Sequence, residues 1–278
     1  MPRHFLTGTE LDAPDLAAIL DRALALKAAP HSSDALRRQT VALIFEKPST
    51  RTRLSFEAGV AELGGHPAVL RTDELQLSRG ESPRDTALVL SRMAAAVGMR
   101  THDDAILEEL AAHATIPVIN LLTAGHHPCQ ALADLLTLRE TFGQLDGLVL
   151  AYVGDGNNVA RSLALLGPLA GVQVRIAAPE GYQLEAIGGL VRTDDPAAAA
   201  AGANALYTDV WVSMGDEATA AQRRADLAPY RIDAALLDRA APGAIALHCL
   251  PAHPGEVELF RYRCSGSQSR ARGSRYQP

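Results

Sequence analysis

Leucine and alanine recur at helical spacing across residues 11–27 (LDAPDLAAILDRALALK), which predicts an amphipathic helix early in the chain. The pattern then changes. From Val41 to Phe45 an apolar run is followed by Glu46-Lys47-Pro48-Ser49-Thr50, the order of a buried strand, a turn and a helix N-cap. That helix is expected to carry Leu54, Phe56 and Val60. It should end at Gly64-Gly65, where glycine accepts the left-handed conformation of a helix C-terminus. Apolar stretches at 67–70, 96–99 and 117–120 then alternate with helical ones at 83–94 and 104–113. Strands separated by helices of this length point to βαβ units and a parallel sheet. A longer helix is predicted from Pro128 to Phe142, stopping at Gly143.

A second series opens at 148–153 (LVLAYV), continues through Gly154-Asp155-Gly156-Asn157-Asn158 and enters a helix. Strand-like runs recur at 172–177, 204–208 and 244–247, and the alanine-rich 195–203 predicts a short helix on propensity. The expected fold class is α/β: two parallel-sheet domains joined by the helix near 128–142. The boundaries read as 1–142 for the first domain with its linker helix, 143–257 for the second, and 258–278 for a tail of different character.

Composition narrows the possibilities. With 278 residues, 47% of them hydrophobic, there is enough apolar material for sizeable cores, and wholesale disorder is excluded. Aromatics make up only 4%, so those cores must be built from Ala, Leu and Val. No apolar run reaches the ~18–20 residues of a membrane helix, and Met1-Pro2-Arg3-His4 lacks the apolar stretch of a secretory signal. Three cysteines without paired spacing fit a reducing compartment rather than a disulfide framework. A cytoplasmic protein with no membrane partner is expected.

The net charge of −6 speaks against a nucleic-acid partner. Only Lys27 and Lys47 are lysines among the 26 basic residues, so an isolated arginine is background and each must be judged by its setting. The average also hides a tail: residues 258–278 hold one acid and five arginines.

The most informative segment is Phe45–Arg53 (FEKPSTRTR). Hydroxyls at 49, 50 and 52 open a helix whose first backbone N–H groups lack intrahelical partners, which makes an anion site, and Arg51 adds a fork matched to phosphate oxygens. The plainer alternative is an ordinary Ser/Thr cap with solvated arginines. Gly154-x-Gly156 after a strand invites a dinucleotide reading, but Val159 occupies the third glycine position and no ribose-binding acid follows. No histidine pairs with Cys or carboxylates at zinc-like spacing. No metal or organic cofactor is called for. His127 precedes Pro128 as a helix-entry residue would, and its neighbour His126 reads as solvated.

The segment FEKPSTRTRLSFE closely resembles the carbamoyl-phosphate signature of the aspartate/ornithine carbamoyltransferases. Further landmarks follow in order: Gln76 in LQLSRGES, Met99-Arg100-Thr101, His127-Pro128-Cys129-Gln130, Gly154-Asp155-Gly156-Asn157-Asn158, Asp209-Val210-Trp211-Val212-Ser213-Met214-Gly215 and His248-Cys249-Leu250-Pro251. The resemblance spans roughly residues 5–256. The pairing of D-x-W-x-S-M-G with H-C-L-P is similar to the ornithine branch of the family. It implies carbamoyl transfer from carbamoyl phosphate to the δ-amino group of L-ornithine, giving L-citrulline and phosphate in arginine biosynthesis.

On this resemblance Ser49, Thr50 and Arg51 hold the phosphate, while Thr52, Arg100 and His127 surround the carbonyl oxygen. Gln130 and the main chain at Cys249-Leu250 orient the carbamoyl NH2 group. Asn158, Asp209, Ser213 and Met214 hold the α-amino and α-carboxylate groups of ornithine. Cys249, paired with Asp209, steers or deprotonates the attacking amine, whereas Cys129 and Cys264 read as structural. The family works as homotrimers in which Gln76 reaches a neighbour's site. Two rival readings stay open: transfer to another amine, such as putrescine or a modified ornithine, or a relative without activity.

The likeness stops after His253-Pro254-Gly255-Glu256. The family continues with a final helix bearing a carbamoyl-phosphate-binding arginine, and here the chain runs VELFRYRCSGSQSRARGSRYQP, without helical periodicity. The C-terminal helix is therefore expected to be missing, as a change of reading frame near codon 256 would produce. The stretch between Gly181 and Asp195 is about a dozen residues shorter than the family pattern, which predicts a trimmed strand or helix. Asp216 and Pro254 depart from the usual Gln and Arg.

Overall fold

The computed structural model describes residues 2–212, 217–252 and 262–264, the last three and Glu217 by backbone alone. The chain divides into two compact units between Cys129 and Gln130. In chain order the first unit contains α1 (Ala13–Ala28), β1 (Thr40–Phe45), α2 (Thr50–Glu62), β2 (His66–Arg71), α3 (Pro83–Leu90), β3 (Ala96–Arg100), α4 (Asp104–His113) and β4 (Val118–Leu122). Its four strands are parallel in the order β2-β1-β3-β4.

The period-2 geometry of a strand explains why β1 reads as an unbroken apolar run. Ala42 and Ile44 face a cluster with Val97, Met99, Leu107 and Leu110. Val41, Leu43 and Phe45 face the other side, against Val60 and Leu121. A central parallel strand is buried on both faces, so no polar alternation survives. Helix α3 stops at Leu90, short of the expected residue 94. The Ser91 hydroxyl donates to the Ala87 carbonyl at 2.7 Å and accepts the Thr115 amide at 3.0 Å, and the next amides make shorter-range bonds.

Helix α5 (Pro128–Phe142) leads into the second unit, with β5 (Val149–Val153), α6 (Asn158–Leu166), β6 (Gln173–Ala177), β7 (Val191–Thr193), α7 (Pro196–Ala200), β8 (Ala205–Thr208), α8 (Ala220–Leu227), α9 (Ala234–Leu237), β9 (Ile245–His248) and β10 (Tyr262–Cys264). This sheet is also parallel, in the order β10-β9-β8-β5-β6-β7. Its core uses small residues, as the low aromatic content required: Ala151, Ala199, Ala200, Ala203 and Ala246 pack with Val153, Leu206 and Ile232. The alanine-rich segment is the expected short helix, α7, capped by Asp195 accepting the Ala197 amide at 2.8 Å.

Parallel strands are usually joined by a crossover helix. Residues 178–190, between β6 and β7, hold none. The shortening that the sequence pattern located therefore falls on this crossover, while the strand after it is kept. Among the described residues of the C-terminal tail, 262–264 add a parallel strand beside β9.

Candidate active site

In an open parallel sheet, ligands bind beyond the carboxyl ends of the strands, where the strand order reverses. The first sheet reverses between β1 and β3, and the second between β5 and β8. Each reversal carries one group of the expected site residues.

In the first unit, β1 runs into Glu46 and the turn before α2. Ser49 occupies the N-cap position with extended backbone, yet its side chain makes no cap hydrogen bond. Its Oγ instead accepts from Arg100 Nη1 at 3.2 Å, and the same nitrogen donates to Thr52 Oγ1 at 3.4 Å. The plain-cap alternative therefore fails at its central point: the hydroxyl is turned away from the helix amides. Those amides have no intrahelical acceptors, and the positive dipole end of α2 is directed at whatever lies before the helix.

Arg100 ends β3 opposite Phe45 of β1. The chain that follows is fixed by Glu46, whose Oε2 accepts from Thr101 Oγ1 at 2.8 Å and from the His102 amide at 2.7 Å. Burial raises the Glu46 pKa, but these two hydrogen bonds and the nearby Lys47 and His102 bring it below the ordinary value. Glu46 is thus an anionic brace for the turn that aims Arg100, a role the sequence reading missed.

His127 is 8% exposed. Burial, and secondarily the Arg100 charge, lower its pKa to about 3. It is therefore a neutral imidazole near pH 7. Its neighbour His126 is a correction: expected to be solvated, it sits with Nδ1 3.2 Å from Asp104 Oδ1. Asp104 also accepts the Gly125 amide at 2.9 Å and the Thr123 hydroxyl at 2.5 Å, so the turn before His127 is held by one carboxylate. Burial opposes ionisation of Asp104, yet these partners set its pKa below the usual value. Cys129 fits its structural reading, since burial pushes its thiol up to about 12 and Sγ donates to the Asn120 carbonyl at 3.3 Å. Gln76 opens a single turn, residues 76–79, in which Gln76, Ser78 and Arg79 are exposed and Leu77 packs against the core of the first unit.

In the second unit, β5 ends at Val153 and the chain turns through Gly154 with φ 135°, a conformation suited to glycine. Gly156 is required for closeness: a Cβ there would lie 2.5 Å from the Tyr182 carbonyl oxygen and 2.8 Å from the Leu184 nitrogen. Asn157 caps α6, accepting the Val159 and Ala160 amides at 3.0 and 3.2 Å. Its Nδ2 donates to Asp209 Oδ2 at 2.8 Å, while Asp209 Oδ1 accepts the Val210 amide at 2.8 Å. The buried Tyr152 hydroxyl donates to Asn157 Oδ1 at 3.2 Å, and its ring stacks on Tyr207 at 5.5 Å. Asp209 follows β8 as Cys249 follows β9, and Thr208 is paired with His248 across the two strands. The Cys249 amide donates to the Thr208 carbonyl at 3.3 Å.

Two family models match the chain in succession, meeting near the end of α5 rather than at Cys129. Residues 3–140 match the family described as aspartate/ornithine carbamoyltransferase, carbamoyl-P binding domain. Residues 146–261 match its Asp/Orn binding domain. The chain belongs to the aspartate/ornithine carbamoyltransferase family. It is 50% identical to an ornithine carbamoyltransferase from Parafrankia sp. (strain EAN1pec), covering 96% of this chain and 89% of the relative. It is 51% identical to one from Acidothermus cellulolyticus, covering 97% and 90%. Among solved structures, the ornithine carbamoyltransferase from Pyrococcus furiosus superposes with a TM-score of 0.86 at 43% identity, covering 92% of this chain and 87% of the other. The enzyme from Thermus thermophilus gives 0.87 at 40%, covering 95% and 93%.

For a carbamoyltransferase-family chain, the expected residues fall as follows. Ser49, Thr52 and Arg100 are joined by hydrogen bonds, with Thr50 and Arg51 in the same first helical turn. Gln130 lies on α5 with Nε2 donating to the fully buried Asp134 at 2.9 Å. Asp209 is bonded to Asn157, and Asn158 is the next residue along α6. Cys249 and Leu250 are partly buried after β9. Ser213 and Met214 lie outside the described residues, as do Asp216 and Pro254. Beyond Glu46, the sequence reading missed Asn157, Tyr152 and Arg223, whose guanidinium on α8 pairs with Asp155 and whose Nε donates to the Trp211 carbonyl at 2.8 Å. An Asn directly before a helix is a cap signal, so Asn157 was legible; Arg223 stands in no motif.

Proposed function

We propose that this chain is an ornithine carbamoyltransferase, moving the carbamoyl group of carbamoyl phosphate to the δ-amino group of L-ornithine and releasing L-citrulline and phosphate. The observation that carries this reading is the Arg100–Ser49–Thr52 constellation at the head of α2 in a chain of this family. Carbamoyl phosphate belongs with the first unit: the α2 amides, Ser49, Thr50 and Arg51 take the phosphate, and Thr52, Arg100 and His127 take the carbonyl oxygen. Ornithine belongs with the second, through Asn158, Asp209, Ser213 and Met214.

The chemistry follows from these charges. A side-chain ammonium with a pKa near ~10.4 must lose a proton before its nitrogen can attack. Cys249 and Asp209 are the groups assigned to steer it and take that proton. The nitrogen lone pair adds to the carbonyl carbon, and the C=O pair moves onto oxygen. Arg100 stabilises the new oxyanion with charge and neutral His127 with a hydrogen bond, each donor being worth about 3 kcal/mol by oxyanion-hole precedent. The carbonyl re-forms as the C–O bond to phosphate breaks, and the attacking nitrogen gives up its second proton to the departing phosphate. The leaving phosphate stays at the dipole end of α2, and Gln130 with the Cys249–Leu250 main chain orients the carbamoyl NH2.

The reading extends to a cytoplasmic homotrimer serving arginine biosynthesis, with Gln76 reaching a neighbour's site. Leu54 and Met93 of the first unit are 58% and 73% exposed, large apolar side chains of the kind a subunit interface covers. Among the described residues no helix is long and apolar enough to cross a membrane. Purified protein supplied with carbamoyl phosphate should form citrulline from ornithine, with putrescine and aspartate as comparison amines. Absence of citrulline from soluble protein would refute the assignment. Sedimentation equilibrium tests the trimer.

A further inference from the structure

Asp104 opens α4 and faces the turn that leads into His127. Its carboxylate meets three residues of that turn. Oδ1 accepts the Thr123 hydroxyl at 2.5 Å and stands 3.2 Å from His126 Nδ1, and Oδ2 accepts the Gly125 amide at 2.9 Å. A carboxylate can only accept, so the hydrogen of this pair sits on His126 Nδ1. Gly125 is fitted to the same group: a Cβ there would lie 3.1 Å from both Asp104 oxygens and 3.3 Å from Cγ. The turn is closed by the Thr123 amide on the His126 carbonyl at 2.9 Å. It is tied back by the Ala124 amide on the His102 carbonyl at 3.0 Å.

These bonds reach His127 through the chain itself. His126 is its direct neighbour, and both the ring and the carbonyl of His126 are held. A shift of that peptide would carry the buried His127 ring with it. Residues 101–104 moreover serve both of the assigned oxyanion donors. Their first part, Thr101 and His102, is held by Glu46 directly after Arg100. Their last residue, Asp104, holds the turn directly before His127. Thr101 Oγ1 accepts the Asp103 amide at 3.4 Å, which links the two parts.

We propose that Asp104 is a positioning residue: by holding Thr123, Gly125 and His126 it sets where the His127 imidazole meets the carbonyl oxygen. This rests on the reading of His127 as an oxyanion donor. The effect of Asp104 on the chemistry passes through His127 and not through a substrate contact. Misplacing a catalytic group by about 1 Å can cost roughly a hundred-fold in rate, so a carboxylate outside the motifs has leverage.

The test is a double-mutant cycle on kcat for citrulline formation. D104A should lower kcat about thirty-fold in the parent but less than about three-fold in H127N, where the donor it aims is already gone. A merely structural Asp104 would lower kcat by the same factor in both backgrounds, or in neither; either result overturns the proposal. If D104A does not fold, G125A decides, since its methyl presses the carboxylate off the turn while every side chain stays. It should lower kcat about five-fold in the parent and less than about two-fold in H127N, and equal factors overturn the proposal. Phosphonoacetamide, with a methylene in place of the bridging oxygen of carbamoyl phosphate, separates this inference from the assigned function. By calorimetry D104A should weaken its binding about ten-fold and that of inorganic phosphate less than about two-fold, because only the amide offers His127 a carbonyl oxygen. If the parent forms no citrulline, the assigned function fails and this ligand pair decides. Equal effects on the two ligands, or no binding of either by the parent, overturn the proposal too.

Discussion

Replacing His127 with asparagine tests whether a neutral, buried imidazole serves this site. The folded-state pKa of about 3 lies far below the ~6.5 of an unfolded chain. At pH 7 only about one folded molecule in ten thousand carries the imidazolium, so His127 supplies a hydrogen bond rather than a proton. The same shift sets a stability slope. As pH falls below about 6.5 the unfolded chain binds a proton that the folded chain refuses, and stability is lost until the pH reaches the folded value near 3. Between pH 7.5 and 5.0 this one residue should remove about 2 kcal/mol, a large part of a domain's roughly 5–15 kcal/mol. Urea unfolding of the parent and H127N at both pH values measures it: the variant should lose about 2 kcal/mol less. In the citrulline assay H127N should lower kcat by about 10²–10³, the cost of a misplaced oxyanion donor. The shape of its pH profile between 5.5 and 7.5 should match the parent's. Equal pH slopes of stability, or an imidazole NMR titration centred near 6.5, would refute the reasoning.

Arg51 is exposed in the first turn of α2, so R51M should abolish turnover and weaken inorganic phosphate binding while changing unfolding stability by less than about 0.5 kcal/mol; normal phosphate affinity by calorimetry would remove Arg51 from the site. D209N should raise the KM for ornithine at least ten-fold and lower kcat, because Asp209, held by Asn157 and the Val210 amide, is assigned both to bind ornithine and to take its proton; an unchanged KM for ornithine would count against the assignment. G156A should cost about 1–3 kcal/mol in thermal unfolding, since the added methyl meets backbone atoms at 2.5 and 2.8 Å that cannot rotate away. A stability change under 0.5 kcal/mol would mean that residues 182–184 do not press on this turn.

What the chain disclosed in advance depended on how local each signal was. Strand β1 and the head of α2 were legible because a buried run, a proline turn and hydroxyls at 49, 50 and 52 are consecutive, and the physics that makes them an anion site acts within one helical turn. Helix α4 and helix α7 were legible for the same reason, through periodicity and an aspartate cap. Strand β7 and helices α8 and α9 went unseen, since segments of three to eight residues are too short to show a period. Within the site, Arg51 and Arg100 stood out of an arginine-rich background because motifs surround them, whereas Arg223 did not. Its significance comes from Asp155, Tyr182 and Trp211, which are 68, 41 and 12 positions away and meet it only once the second sheet is wound. Glu46 shows the same limit at shorter range: it lies inside the motif, but its partners Thr101 and His102 arrive from the adjacent strand. The residues proposed to meet substrate were therefore readable from motifs, and Glu46 and Arg223 were not, because their partners are set by strand order. The deficit between β6 and β7 joins the two kinds of information. Sequence spacing located it, and the fold shows that the remaining segment, through Tyr182, packs against the turn that leads to Asn157 and beside Arg223, which pairs with Asp155.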